Sequence, residues 1–319
     1  MPSLERAFTV EMNDLTMRPI AGREELDLFS RLPYARNEEL SDDLASGRRR
    51  PEWMWIALRG DHLVARVAWW TRTGLDTPFL LDIFDIDATD CVDDGVRLLR
   101  TAMAEVVPPG ADPPRYLREV PSSWREQETT RRVVEDRMTA LEQTGARLFV
   151  ERLRFEWRPG TPISEPSERL VFRQVRDTDE ILDLMTLVLD GTLDAHSRED
   201  MARMSAREAA VKHYEGELAH YRSPREWWRV ATLPDGSRVG FVTPARNAYN
   251  PIIGYLAVLP EHRGNGYIDD ILAEGTRILA ERDVPRIRAA TDLDNIPMAK
   301  AFQRAGYANF ERSINMTWH

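Results

Sequence analysis

Cysteine is almost absent, with Cys91 the only one in 319 residues. That excludes an intrachain disulfide framework and any multi-cysteine zinc or iron–sulfur site. Lysine is nearly as scarce: only Lys212 and Lys300 occur, so almost all positive charge is arginine. Cations are also outnumbered, and the net charge of −10 argues against a general nucleic-acid binder, which needs a basic face for phosphates. No run approaches the ~20 apolar residues that span a bilayer. The segment Met1 to Asp14 lacks the apolar stretch of a secretory signal. The reading is a cytoplasmic protein with neither membrane nor nucleic acid as partner. With 42% hydrophobic and 30% charged residues, the chain has the composition of a folded globular protein.

What is present is length enough for about two domains. The clearest break is WRPGTPISEPSE, from Trp157 to Glu168, rich in proline and polar residues. It predicts a domain over 1–157, a linker over 158–168 and a domain over 169–319. Three echoes connect the halves. LEQTGARLFVERLRFEW (Leu141 to Trp157) aligns with FQRAGYANFERSINMTW (Phe302 to Trp318), matching Gly145 with Gly306, Phe149 with Phe310 and Trp157 with Trp318. Glu52-Trp53 pairs with Glu226-Trp227, and Met17-Arg18 leading into Glu25 pairs with Phe172-Arg173 leading into Glu180. Their common order predicts a duplicated domain.

In the second half, patterning predicts a helix over 177–189 with an acidic cap, a helix over 197–221, strands over 227–232, 238–243 and 252–258, and a helix over 268–282. A strand at 286–291, a helix at 296–304 and a last strand ending at Trp318 follow. The first half predicts strands at 15–18, 53–59, 63–71, 80–86, 115–120 and 149–157, and helices at 92–107 and 131–144. Strands and helices around one sheet in each half give an α+β class.

Between the strand ending at Val258 and the next helix lies Leu259-Pro260-Glu261-His262-Arg263-Gly264-Asn265-Gly266-Tyr267. A glycine-containing turn from strand into helix exposes backbone N–H groups beside the positive end of the helix dipole, a natural seat for pyrophosphate. The plainer alternative is a tight turn that merely needs glycine. Val258, Pro260, Arg263 and Gly266, with Asn295, Met298, Phe302, Gly306 and Tyr307 downstream, resemble the two signature segments of the GCN5-related N-acetyltransferase (GNAT) superfamily, over about residues 168–319. Ile268 stands where the family pattern ends in a small residue.

The resemblance implies two tandem GNAT-like domains, each a mixed, mostly antiparallel sheet flanked by helices. It implies acetyl-CoA as co-substrate, no metal, and direct acetyl transfer to a small or peptide-borne amine. The cofactor contacts it implies are Ala257, Val258, Arg263, Gly264, Asn265, Gly266, Tyr267, Ile268 and Asn295, with backbone N–H groups at Ala257 and Val258 on the thioester carbonyl. The family's usual acid, a tyrosine, is replaced by Phe302. That leaves Tyr255 and Glu226 as candidate catalytic groups, and Asp194 and His196 as candidate substrate contacts. Each has a plainer reading: a half-buried strand tyrosine, a solvated glutamate, and a capping residue in an exposed loop. A non-catalytic acyl-CoA-binding scaffold is the alternative function, and either a monomer or a dimer fits.

The first half has no such loop. Asp82, Asp85, Asp87, Asp90, Asp93 and Asp94 occupy the equivalent region. This predicts a degenerate copy whose aspartates form a solvated face or, less plainly, attract a cationic acceptor. Trp53, Trp55, Trp69 and Trp70 fit either a core or an aromatic pocket.

Overall fold

A computed structural model describes residues 15–72 and 74–318; the reading of Met1 to Asp14 lies outside them. The chain divides into two compact units. The first holds the described residues up to Arg118, Ser123–Phe149 and the chain from Ile314; the second holds Glu119–Ser122 and Val150–Ser313.

In the first unit, β1 (Leu15–Pro19), β2 (Met54–Arg59), β3 (His62–Trp70) and β4 (Leu80–Ile86) pair antiparallel in succession. The short helices α1 (Leu26–Phe29) and α2 (Leu40–Ala45) lie between β1 and β2. Helix α3 (Val92–Val106) leads from β4 to β5 (Tyr116–Pro121), which runs parallel to β4 with Leu81 opposite Tyr116 as their register pair. Helix α4 (Glu128–Gln143) and β6 (Arg147–Trp157) follow. Phe29, Leu40, Met54, Ile56 and Ile83 form a core, and Trp53, Trp55 and Trp69 are buried, which resolves those tryptophans as packing.

The second unit repeats the plan. β7 (Val171–Gln174), β8 (Arg229–Thr232), β9 (Arg238–Arg246) and β10 (Pro251–Val258) are antiparallel neighbours, and β11 (Ile287–Asp292) runs parallel to β10, in register at Ile252 and Arg288. Helices α5 (Thr178–Val188), α6 (Ala195–Met201) and α7 (Ala206–Gly216) follow β7. Helix α8 (Tyr267–Ala280) joins β10 to β11, and α9 (Ile296–Arg304) leads to β12 (Ala308–Thr317). In each unit the strands are mixed and mostly antiparallel with helices flanking them, the α+β arrangement expected.

Two boundaries differ from the sequence reading. Residues 150–157 of β6, predicted to close the first domain, are the antiparallel partner of β11, from Trp157 opposite Ile287 to Arg152 opposite Asp292, and so lie in the second unit. The chain from Ile314 lies in the first unit. A cut at the proline-rich segment misses this because a strand's partner is not encoded next to it in sequence. The helix predicted over 197–221 is two helices, with Ser205 restarting the chain through a reciprocal capping box with Glu208.

Alternation fixes the two faces of the second sheet. Val230 and Phe241 point into the core with α5 and α7, while their neighbours Ala231 and Val242 point into the core with α8 and α9. On β10, Ile253 and Leu256 both face the α8 side although three residues apart. A bulge at Gly254 absorbs the extra residue. It leaves Tyr255 and Ala257 on the α5 and α7 side.

Candidate active site

Beyond their register pair at Ile252 and Arg288, β10 and β11 separate, and a cleft of about 810 Å³ opens in the second unit. Its walls include Ile253 to Val258 of β10, Ala289 to Thr291 of β11, and Arg152 and Arg154 of β6. Asp194, His196, His213 and Glu217 close one side; His262 to Gly264 and Gly266 to Ile268 line the mouth.

At that mouth Gly264 and Gly266 take φ of +84° and +75°, a left-handed conformation that favours glycine. Gly266 caps the 14-residue α8. A methyl group on Gly264 would meet nothing within 4 Å, and one on Gly266 only the Arg169 guanidinium at 4.0 Å. The N–H groups of Gly264, Asn265 and Gly266 donate to no described group, and those of Tyr267 and Ile268 belong to the open first turn of the helix. Five donors thus surround open space at the positive end of a helix dipole, which is the donor set a pyrophosphate needs. Ile268 packs against the core rather than over the turn.

The Arg263 side chain does something else. Its Nη1 donates to the Asp190 carbonyl (2.6 Å), Nη2 to the Val188 carbonyl (2.9 Å) and Nε to the Val258 carbonyl (3.3 Å). Expected as a charge for phosphate, it instead ties the turn to the C-terminal end of α5, where unpaired carbonyls attract a cation. A basic group that sequence reading missed lies closer to the turn. Arg169 donates to the Asn265 carbonyl (2.5 Å) and stacks 4.6 Å over the Tyr267 ring.

Deeper in, the direction of the β10 amides can be read from its flanks. Leu259 N–H bonds the Val239 carbonyl and Tyr255 N–H bonds Thr243 Oγ1, both on β9. Alternation turns the Ala257 N–H toward β9 as well, and those of Leu256 and Val258 toward the cleft. Of the two N–H groups expected on a thioester carbonyl, that of Val258 turns toward the cleft and that of Ala257 toward β9, because the bulge displaces the phase of the strand. Gly254 is required here for space: a Cβ would lie 2.6 Å from the Tyr221 ring.

Tyr255 lies in the cleft, edge-on to Phe241 (5.1 Å between centroids, 90°) and stacked on His213 (5.1 Å, 13°). Its hydroxyl has no hydrogen-bond partner among the described residues. Burial pushes the phenol above the ordinary tyrosine range, and the nearby Asp194 charge adds to this. Tyr255 therefore holds its proton throughout the physiological range.

Glu226 does not join it. It is exposed, in a 3-10 turn ahead of β8, two strands away from β10, and does not line the cleft. Its carbonyl accepts from Arg229, which fixes the turn (2.6 Å). Phe302, at the family's tyrosine position, is buried against Phe155 (5.1 Å) and Tyr307 (5.3 Å), away from the cleft. Asn295 lines the cleft while capping α9 through Met298 N–H (3.3 Å).

Asp194 caps α6, accepting from Ser197 N–H (2.7 Å), and lies 3.8 Å from Arg152. Burial opposes its charge, but Arg152 and the Ser197 hydrogen bond outweigh that and lower its carboxyl. His196 lines the same wall. Beside them is a buried group absent from the sequence reading, Asp292. It accepts from Ala195 N–H (2.6 Å) and lies 3.0 Å from Arg152 Nε; burial raises its carboxyl despite Arg152.

The first unit has the same strand separation but not the same cleft chemistry. Where β4 and β5 stop pairing, Asp85 of β4 binds Arg118 of β5 (2.9 Å), Arg66 of β3 (2.7 Å) and Arg137 of α4 (2.7 Å). Asp82 forms a two-toothed pair with Arg49, and Asp94 with Arg59. Three of the six aspartates are buried in ion pairs, so only Asp87, Asp90 and Asp93 are solvated.

Residues 169–308 match the family model described as an acetyltransferase (GNAT) domain. Among solved structures, a GCN5-related N-acetyltransferase from Sphaerobacter thermophilus is similar over 95% of this chain and 94% of its own, at 16% identity and a TM-score of 0.58. A glucosamine N-acetyltransferase region of a fungal multidomain GH3 β-N-acetylglucosaminidase is similar over 96% of this chain and 38% of that one, at 12% identity and 0.52. A tandem GNAT protein from the clavulanic acid biosynthesis pathway covers 95% and 98% at 16% identity and 0.49. No curated protein sequence matches.

Proposed function

Because residues 169–308 of this chain belong to the acetyltransferase (GNAT) domain family, we propose that the protein is an acetyl-CoA-dependent N-acetyltransferase acting directly on a small or peptide-borne amine. One observation carries this reading: Gly264, Gly266, Tyr267 and Ile268, whose N–H groups are open, line the same cleft into which Leu256 and Val258 N–H point. The turn suits pyrophosphate. The β10 amides suit a thioester carbonyl, whose oxygen gains negative charge as the amine attacks, so donors already aimed there stabilise the transition state.

Acetyl-CoA supplies an activated acyl group; the chain supplies position and protons. Tyr255 is the proton donor to the departing sulfur. A phenol held this high is a poor source of free phenolate, but it can give its proton to sulfur while taking one from the attacking nitrogen. Asp194 and His196 form the acceptor wall. A non-catalytic acyl-CoA-binding protein is the competing reading, prompted by Phe302.

Two measurements on the full chain test the proposal: calorimetric titration with acetyl-CoA, then free-thiol release with a panel of primary amines. Binding with amine-dependent thiol release is the expected result. Binding without release from any amine would favour the scaffold, and no binding in the micromolar range would overturn both readings.

A further inference from the structure

The cleft contains an imidazole that the acetyl-transfer reading does not yet use. His213, on α7, stacks face to face on Tyr255. Its Nε2 is buried and makes no hydrogen bond within the protein. One turn further along the chain, Glu217 lies 3.6 Å from that nitrogen while its other oxygen accepts from the Tyr221 hydroxyl (3.0 Å). Both His213 and Glu217 line the cleft.

From the geometry we infer that His213 receives the acceptor nitrogen and is the base that takes its proton, with Glu217 steadying the imidazolium that forms. This rests on the acetyltransferase reading above and names the base it lacked once Glu226 proved to lie elsewhere. An amine reaches the enzyme largely as an ammonium, with no lone pair to attack. An unpaired imidazole nitrogen in a cleft is a proton acceptor, and histidine changes charge in the range where enzymes work.

The protons then balance. His213 takes one proton from R–NH3+, leaving R–NH2, and releases it to solvent after turnover. The nitrogen lone pair forms the N–C bond, and the C–S bond breaks. The second nitrogen proton passes to Tyr255 as the Tyr255 proton passes to sulfur. The products are the amide and free thiol. The stack holds the two rings side by side, so one nitrogen can be served by His213 on arrival and by Tyr255 on departure.

The charged and titratable groups around His213 are few. Lys212 shares its helix and is engaged by Asp200 of α6 (2.6 Å), and Glu217 follows the last residue of that helix. Tyr255 faces it from β10, and Asp194, at the start of α6, acts on Tyr255. From α5, Asp183 pairs with Arg207 (2.8 Å) and Thr178 meets Tyr214 (3.4 Å).

The test uses the full chain with H213Q and H213F, reading thiol release with an amine the wild type accepts, over roughly pH 5.5 to 9 around the histidine range. Wild-type kcat/KM should fall on the acid side as the imidazole is protonated. Both variants should lose about 10²-fold or more, and H213Q should lose that acid limb. Acetyl-CoA affinity, measured alongside, should stay within about twofold, since His213 is far from the turn in sequence and contact. H213F keeps an aromatic stack on Tyr255, so a packing role would leave it active. Activity of H213F within about threefold of wild type, or an unchanged acid limb in H213Q, would overturn the assignment while leaving acetyl transfer standing. Failure of every amine with the wild type would overturn the underlying reading and this one with it.

Discussion

Arg263 Nη2 lies 2.9 Å from the carbonyl oxygen of Val188, the last residue of α5, and this contact joins the glycine turn to a helix 75 residues away in sequence. Arg263→Gln should therefore weaken acetyl-CoA binding by loosening the turn and cost about 1 kcal/mol of stability from lost charged hydrogen bonds. It should leave the salt dependence of binding unchanged, because the guanidinium is committed to carbonyls. Titration at two ionic strengths checks this. A flattened salt dependence in the variant would return the side chain to the phosphates.

The two glycines of the turn make a separate prediction. Gly266→Ala places a methyl where φ is +75° and space is open. The fold should survive with a loss of about 1 kcal/mol, while acetyl-CoA affinity drops about tenfold, or ~1.4 kcal/mol. Gly306→Ala is the control: φ is +78° and the new Cβ would lie 2.4 Å from Thr161. It should melt earlier than Gly266→Ala yet bind acetyl-CoA normally once folded. Thermal melts and calorimetry on both variants separate the effects.

Much of this is legible in the sequence. The echo between Arg18 leading into Glu25 and Arg173 leading into Glu180 is a repeated ion pair, with Arg18 on Glu25 at 2.7 and 2.6 Å and Arg173 on Glu180 at 2.9 and 2.6 Å. Gly145 and Gly306 both take positive φ just past a helix end. Such features are local, so sequence carries them. Arg152 escaped because it pairs in β11 with Asp292, 140 residues later, and Glu226 misled because strand order does not reveal which strand end borders the cleft. His213 carries no signal in the sequence reading, because its stack on Tyr255 depends on how α7 packs on the sheet.

The Arg173 pair also sets an acid limit. Its hydrogen bonds, opposed by burial and helped by Arg176, bring the Glu180 carboxyl down to about 2. A depressed folded-state value means the stabilisation is fully present above the ordinary glutamate value and drains away as pH falls from about 4.5 through about 2. Glu180→Gln should therefore cost about 1–2 kcal/mol near neutrality, less than the full shift because Arg173 and Arg176 are partly solvated, with the gap to wild type closing across that window. Urea denaturation at pH 7, 4 and 2.5 measures it. A gap that stayed constant with pH would assign the loss to packing instead.

In the first unit, the separation of β4 and β5 is bridged by Asp85 and Arg118 where acyl-CoA would have to enter. Burial opposes the charge on Asp85, but Arg118, Arg137 and Arg66 outweigh it and keep the carboxylate ionised. Removing it strands three arginines, so Asp85→Asn should destabilise by about 3–5 kcal/mol. Asp87→Asn, which breaks only the exposed pair with His62 (2.9 Å), should cost less than about 1 kcal/mol. Since this network occupies the strand gap and the aspartates replace the glycine turn, acetyl-CoA should titrate to one site per chain in the wild type and in Asp87→Asn. A second site, or an Asp85→Asn variant as stable as wild type, would mean that the ion pairs do not close the first cleft.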